Sequence, residues 1–217
     1  MNTRIDTKKL VLLAMLSAVA FMLVALIRIP VVLFLSYEPK DVVITIGGFL
    51  LGPMASFVIS LVVALVEMVT ISTTGPIGCL MNLLSSACFA CTAAFIYKKQ
   101  RSISGAVLGL VLGSVAMIAT MLLWNWLITP LYMTGTSRSS IAAMLVPVFL
   151  PFNALKAGFN SALTLLLYKP LVSALRRTGL LPKKPSKSAT AKWGIYVLGV
   201  ALLATCILLL LVLRGIL

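Results

Sequence analysis

Six long apolar runs divide the 217-residue sequence and leave few ways in which the chain can fold. A helix needs about 20 consecutive apolar residues to cross the hydrocarbon core of a bilayer, and most of the runs reach that length. Charged residues make up only 10% of the chain, whereas a soluble domain carries about 25%. We therefore predict an all-α membrane protein. The runs cover residues 10–29, 42–71, 76–97, 104–128, 144–168 and 194–213.

The run at 42–71 is too long for one span and too short for two full ones. It contains Gly52-Pro53, a pair that typically breaks a helix. Cytoplasmic loops carry an excess of Lys and Arg, and the three basic clusters fall on one side of the membrane only if the run breaks at this pair. We therefore predict a short helix 2 at about 41–51, six spans with a cytoplasmic N-terminus, and a seventh span after them. The basic clusters lie at 4–9, 98–101 and 169–192.

The chain is expected to divide into three parts. The first run follows basic residues, as in a signal peptide, but it shows no clear cleavage site and is interpreted as a first span. A stretch after the sixth span contains Pro, Ser and several basic residues and is too polar for the bilayer. The parts are a six-helix membrane domain at 1–177, a basic cytoplasmic linker at 178–193 and an additional C-terminal transmembrane helix at 194–217.

The ionisable side chains are too sparse for the common kinds of enzyme site. The chain has no His and four acidic residues, which are Asp6, Glu38, Asp41 and Glu67. It has no metal-ligand cluster, no nucleophile–His pair and no Gly-rich phosphate loop, so we expect neither catalysis nor ATP hydrolysis by this chain. The formal net charge of +14 does not indicate a nucleic-acid partner, because the basic residues flank the spans.

Three polar residues lie on one face of the sixth span. Asn153, Lys156 and Asn160 are spaced i, i+3 and i+7, which places them on the same side of a helix. An ionisable residue within the membrane indicates a functional site, and two amides beside it indicate a lined cavity. The alternative is a structural Lys that pairs with Glu67 or with backbone carbonyl groups.

Further polar residues are expected at the same outer level of the membrane. Glu67, Asn82 and Asn125 come from three other helices near their outer ends. Trp124 and Trp126 flank Asn125 and can serve either as interface residues or as stacking surfaces.

The outer loops are expected to close the mouth of this cavity. The loop at 28–40 can fold over a ligand as a lid and contains Tyr37, while Asp41 is expected to cap helix 2. The turn at 73–78 supplies backbone groups, including those of Gly75 and Gly78, and the loop at 128–140 adds Tyr132. An apolar cavity with a few convergent polar groups suits a small, flat molecule with polar edges.

These residues resemble a known family. The segments GGFLLGPMAS, TGPIGCLMN, WNWLITPLY and PFNALKAG are similar to those of the riboflavin-specific S-components of bacterial energy-coupling factor (ECF) transporters. The resemblance covers about residues 8–177. The pattern of Pro151, Phe152, Asn153 and Lys156 carries most of it.

The resemblance implies a six-helix S-component bundle in the bacterial cell membrane, with a riboflavin site near the outer face under the first outer loop. Asn153 and Lys156 match ligand-contacting positions, and Asn82, Asn125 and the turn at 75–78 would line the pocket. The expected partners are a membrane scaffold subunit and two ATPase subunits. The family docks on the scaffold through small residues four apart on helix 1, here Ala14 and Ala18.

Two features depart from the family pattern. Family members often carry Lys-Asn where this chain has Glu67-Met68, so an S-component for a different vitamin or small-molecule precursor stays an open alternative. The seventh helix is not part of the usual six. A non-transporting membrane scaffold protein and a membrane-embedded enzyme are the alternatives from other functional classes, and the sparse ionisable residues argue against the enzyme.

Overall fold

Nearly all of the chain that the structure describes is helical. The computed structural model describes residues 7–32, 35–72, 74–132, 137–177 and 192–214. Within them, six helical stretches are long and apolar enough to cross a membrane. The elements are α1 (Thr7–Leu26), β1 (Ile29–Val32), β2 (Leu35–Tyr37), α2 (Lys40–Leu51), α3 (Pro53–Thr70), α4 (Gly75–Gln100), α5 (Ile103–Leu127), α6 (Thr129–Tyr132), α7 (Arg138–Met144), a π-helical turn (Leu145–Phe149), α8 (Leu150–Arg177) and α9 (Lys192–Leu213).

The predicted break at Gly52-Pro53 is confirmed, and it reverses the chain. Gly52 has a φ of +100°, which residues with a Cβ rarely adopt. Pro53 occupies the start of α3, where its missing N–H costs nothing. The two helices run antiparallel, since Ser56 Oγ donates to the carbonyl of Ile44 near the break and Lys40 meets Glu67 at the far ends.

This reversal brings the described residues of the three predicted basic clusters to one end of the bundle, opposite the hairpin. Helices α3 and α4 run antiparallel, since Asn82 meets Glu67 at one end and Cys91 meets Pro53 at the other. Helices α4 and α5 are antiparallel as well, since Gly109 lies beside Ala93 and Gly113 beside Phe89. The end of α1 leads into the hairpin, so the start of α1 and the ends of α4 and α8 lie away from it. Lys8, Lys98 and Lys169 belong to these three places. The linker prediction falls largely on residues 178–191, which lie outside the described part of the chain.

The short α2 lies in the centre of the bundle. It has only 12 residues, and the first nine, Lys40–Gly48, are buried. Its neighbours are α1, α3, α4 and α8, which shield the helix ends from lipid, as a helix too short to span requires. Ile44 and Ile46 are fully buried, so α2 forms part of the apolar core.

Glycines allow α4 and α5 to pack closely. A Cβ added to Gly109 would lie 2.7 Å from the backbone oxygen of Ala93, and one added to Gly113 would lie 2.6 Å from that of Phe89. Small residues at such positions let membrane helices approach until their backbones touch. The α4–α5 contact therefore depends on the missing side chains.

We expect Gly109→Ala to destabilise the protein, although Ala usually favours a helix over Gly by about 1 kcal/mol. The added methyl group must displace the backbone of α4, at a cost of roughly 1–3 kcal/mol. Thermal unfolding in detergent measures the difference. Gly194→Ala is the matched control, because no atom lies within 4 Å of a Cβ placed at Gly194 in α9. An unchanged or higher melting temperature for Gly109→Ala would contradict the packing argument.

Candidate functional site

A cavity of about 200 Å³ lies at the hairpin end of the bundle. Residues of the β1–β2 hairpin, α3, α4, α5 and α8 surround it. Leu35, Met81, Met121 and Phe152 give it apolar walls, and Ser36 faces it from the hairpin. The cavity thus combines apolar surfaces with polar groups, which is typical of a site for a small organic molecule.

The structure brings five of the sequence-predicted site residues together around this cavity. They come from four different helices, as the helical spacing and topology predict. Their contact with a ligand stays a prediction. The five residues are Glu67, Asn82, Asn125, Asn153 and Lys156.

Two other predicted residues, Tyr37 and Asn160, are buried outside the lining of the cavity. Tyr37 Oη donates to Asn160 Oδ1 over 3.0 Å, and both side chains are buried. Neither belongs to the lining of the cavity. The pair joins β2 to α8, so these two residues support the hairpin and do not line the cavity.

The outer turns contribute less than the sequence predicts. Gly75 and Gly78 lie in the first turn of α4, and the cavity is lined by their neighbours Ser72 and Thr74 instead. Tyr132 ends α6, and its side chain lies outside what the structure describes.

The alternative pairing of Lys156 with Glu67 is wrong. Lys156 Nζ lies 3.6 Å from Asp41 Oδ2 and donates to Ser85 Oγ over 3.1 Å. The lysine therefore has a carboxylate partner from α2 and a hydroxyl partner from α4, and it also faces the cavity.

The expected role of Asp41 as a helix cap is also wrong. Asp41 is the second residue of α2, and the N-cap position before the helix is held by Pro39, with no side-chain capping bond. The Asp41 carboxylate is fully buried and accepts hydrogen bonds from Ser86 Oγ and from Asn160 Nδ2 at 3.0 Å. A buried carboxylate needs charge-assisted partners, and α4 and α8 supply them here.

Lys40 is the main residue that sequence reasoning missed. The predicted topology only places it on the outer side of the membrane, and in the structure 1% of its side chain is exposed. Its Nζ lies 2.6 and 2.8 Å from the two carboxylate oxygens of Glu67 and 2.9 Å from Glu38 Oε2. Asn82 Nδ2 also donates to Glu67 over 2.7 Å. Glu67 is thus neutralised by Lys40 rather than by Lys156.

Glu38 links this ion pair to the start of the hairpin. Its Oε1 lies 3.0 Å from Arg28 Nη2, and its Oε2 lies 2.9 Å from Lys40 Nζ. Burial raises the pKa of the Glu38 carboxyl, but the charges of Lys40, Lys156 and Arg28 outweigh burial and hold that pKa below its ordinary value. Glu38 is therefore ionised at neutral pH.

The charges around the cavity balance. Three carboxylates meet three cations in four ion pairs. The arrangement therefore presents oriented polar groups and no net charge, which suits a neutral molecule. The carboxylates are Glu38, Asp41 and Glu67, and the cations are Arg28, Lys40 and Lys156.

Two of the amides that line the cavity, those of Asn125 and Asn153, donate to helix carbonyl groups. Asn125 Nδ2 donates to the carbonyl of Met121, and Thr129 Oγ1 donates to Asn125 Oδ1. Asn153 Nδ2 donates to the carbonyl of Phe149 in the π-helical turn. These bonds fix the orientation of both amides.

A second, apolar groove lies between α1 and α3. Ala14 and Ala18 line it from α1, and both are exposed. Val58, Val62 and Val66 line it from α3. The structure thus places both predicted docking residues on one open surface, away from the cavity.

Comparison with known proteins gives one consistent family. Residues 8–168 match the family described as ECF transporter, substrate-specific component. The riboflavin transporter RibU of Staphylococcus aureus is 32% identical over 180 residues, which cover 79% of this chain and 94% of that protein. The riboflavin transporter FmnP of Bacillus subtilis is 30% identical over 69% of this chain and 84% of that protein.

A solved structure agrees with these sequence relatives. It is that of the S component of a bacterial ECF transporter, which is 31% identical to this chain and superposes with a TM-score of 0.65. The superposition covers 78% of this chain and 98% of that one. The chain therefore belongs to the substrate-specific components of ECF transporters, which are membrane-embedded transport proteins and not enzymes.

Proposed function

We propose that this chain captures riboflavin at the outer face of the bacterial cell membrane and passes it to an ATP-driven ECF complex. The observation that carries the proposal is the charge-balanced cavity, whose polar side chains come from four helices and whose other walls are apolar. Riboflavin is a neutral, flat molecule with polar edges, and two relatives are named riboflavin transporters. The N-terminus lies in the cytoplasm in this proposal.

The isoalloxazine ring lies against Phe152 and the two methionines that line the cavity. Its carbonyl and ring-nitrogen edge accepts hydrogen bonds from Lys156 and Asn153. The ribityl hydroxyls lie beside the side-chain amides of Asn82 and Asn125. Because the cavity of about 200 Å³ is smaller than the roughly 300–1,000 Å³ of most ligand sites, the hairpin moves outward when the vitamin enters.

Glu67 fits this proposal once its partner is considered. An acid at this position, taken alone, suggests a substrate other than riboflavin. Lys40 and Asn82 already pair with the carboxylate of Glu67, so the site does not require a cationic ligand.

The 1–177 segment acts as the binding domain in this proposal.

The proposal predicts that protein purified from riboflavin-containing cells carries a yellow, fluorescent ligand. Mass spectrometry of the released ligand identifies it, and quenching of riboflavin fluorescence measures the affinity of the stripped protein. Riboflavin 5′-phosphate is expected to bind more weakly, because the balanced cavity offers no unpaired cation for the phosphate. Release of a different small molecule, with no riboflavin binding by stripped protein, would contradict the proposal.

We expect Asn153→Ala and Lys156→Ala each to weaken riboflavin binding by roughly 10-fold or more, because a lost buried hydrogen bond costs about 1–3 kcal/mol. Fluorescence titration measures the affinity. Lys156→Ala also leaves Asp41 without its cation, so a melting curve accompanies the titration and Asn153→Ala, which keeps the ion pairs, serves as the independent variant. Lys99→Ala, at the opposite end of α4, is the control. Unchanged affinity in both site variants would exclude the assignment.

The groove between α1 and α3 is proposed to receive the scaffold subunit, whose complex contains two ATPases. We expect Ala14→Trp together with Ala18→Trp to abolish co-purification of this complex, because two indoles fill the groove. Riboflavin affinity should stay unchanged, since the groove is separate from the cavity. Val19→Trp tests whether any large residue on α1 has this effect, because Val19 is 43% exposed and does not line the groove. Retention of the complex by the double variant would refute the docking site.

A further inference from the structure

Helix α9 lies outside residues 8–168, the part that matches the family, yet it packs along the bundle. It runs antiparallel to α8. A Cβ added to Gly199 would lie 2.9 Å from Leu166 Cγ, and one added to Gly158 would overlap Cys206 Sγ. The two helices therefore approach closely through small residues. Further toward the C-terminus of α8, Lys169 Nζ lies 6.0 Å from the ring centre of Tyr196 of α9.

The far end of α9 reaches the β-hairpin. Leu209, Leu210 and Leu213 pack into an apolar cluster that contains Val31 of β1 and Tyr37 of β2. Arg214, directly after α9, donates a hydrogen bond from its guanidinium group to the carbonyl of Pro30. The end of α9 is thus in contact with β1 and shares an apolar cluster with Tyr37 of β2.

The same hairpin borders the cavity. Leu35 and Ser36 of β2 line it, and Arg28 and Glu38 line it from the two flanks. The strands pair from Ile29↔Tyr37 to Val32↔Leu35 with an irregular register. A two-stranded hairpin is only marginally stable in isolation, so its position depends on the surfaces against which it packs.

We propose that α9 braces the β1–β2 hairpin over the cavity and thereby slows exchange of the bound ligand, with Arg214 as a positioning residue. The part concerning ligand exchange rests on the proposed riboflavin function. The brace acts from the side opposite the cavity, because the described part of α9 contacts the hairpin and α8 but contributes no residue to the cavity lining.

Hydrogen–deuterium exchange of the full-length protein tests the brace without any ligand. Gly199→Leu should separate α9 from α8, and Arg214→Ala should remove the bond to β1. Each should speed exchange of the hairpin amides at 29, 31, 32 and 35–37 by roughly 3- to 10-fold, the effect expected for one net hydrogen bond. Exchange in α4 should stay unchanged.

Two matched variants control for the substitutions themselves. Gly194→Leu places the same side chain on α9 at a position with no atom within 4 Å of the new Cβ. Arg138→Ala removes an exposed arginine at the start of α7, at the hairpin end of the bundle. Both should leave hairpin exchange at the wild-type rate. If Gly199→Leu fails to fold, the hairpin exchange rate of Arg214→Ala alone tests the brace.

Riboflavin dissociation is then measured by a fluorescence chase on the same proteins, and it should accelerate in step with hairpin exchange. Unchanged hairpin exchange in the folded brace variants would overturn the proposal. Faster hairpin exchange with an unchanged dissociation rate would overturn the role in ligand retention. Faster hairpin exchange in a protein whose wild type binds no riboflavin would support the brace and defeat the riboflavin proposal.

Discussion

Two glutamates that share one buried ammonium group fix the geometry of the hairpin end of this protein. Lys40 lies within 3 Å of carboxylate oxygens on both Glu38 and Glu67. Removing a charge from water costs several kcal/mol unless the partners are well placed, and a lipid environment makes the cost of an unpaired charge greater. The start of α2, the end of α3 beside the hairpin and the loop after the hairpin therefore cannot move independently.

The second ion pair extends this constraint to α4 and α8. Asp41 follows Lys40 in α2, and its carboxylate faces Lys156 of α8 and Ser86 of α4. One short helix thus carries adjacent charges of opposite sign that point at different neighbours. The first turn of α2 is therefore held by polar contacts, while Ile44 and Ile46 fill the apolar core.

The helices and the cavity face of α8 could be predicted from the sequence because both depend on local patterns. Apolar run length marks the spans, and the positions of Asn153 and Lys156 follow from helical spacing. The partner of Lys156 could not be predicted, since Glu67 and Asp41 are both acids near the outer end of a helix and only tertiary packing decides between them. Asp41 in a first turn has the same local signature whether it caps the helix or pairs with Lys156.

The burial of Lys40 had a weaker signal in the sequence. Glu38, Lys40 and Asp41 lie just before the apolar run that begins at Val42, and the last two of them start α2. A helix too short to span must be enclosed by protein, so charges in its first turn are drawn into the bundle with it. The position of α9 had no such signal, because an apolar helix with one terminal arginine looks the same whether it faces lipid or packs against α8.

The balance of charge around the cavity limits what the site can hold. Each described cation that lines or borders the cavity already has a carboxylate partner. An ionic ligand would therefore have to compete with an existing ion pair, and breaking a buried pair costs about 3–5 kcal/mol. A neutral ligand leaves the pairs intact and exchanges only hydrogen bonds with water. At position 67 the family resemblance predicts a base, but this chain has Glu67. Lys40 compensates the charge of this acid, so the cavity stays neutral. The sum of the charges, rather than any one residue, therefore determines which ligand the pocket accepts.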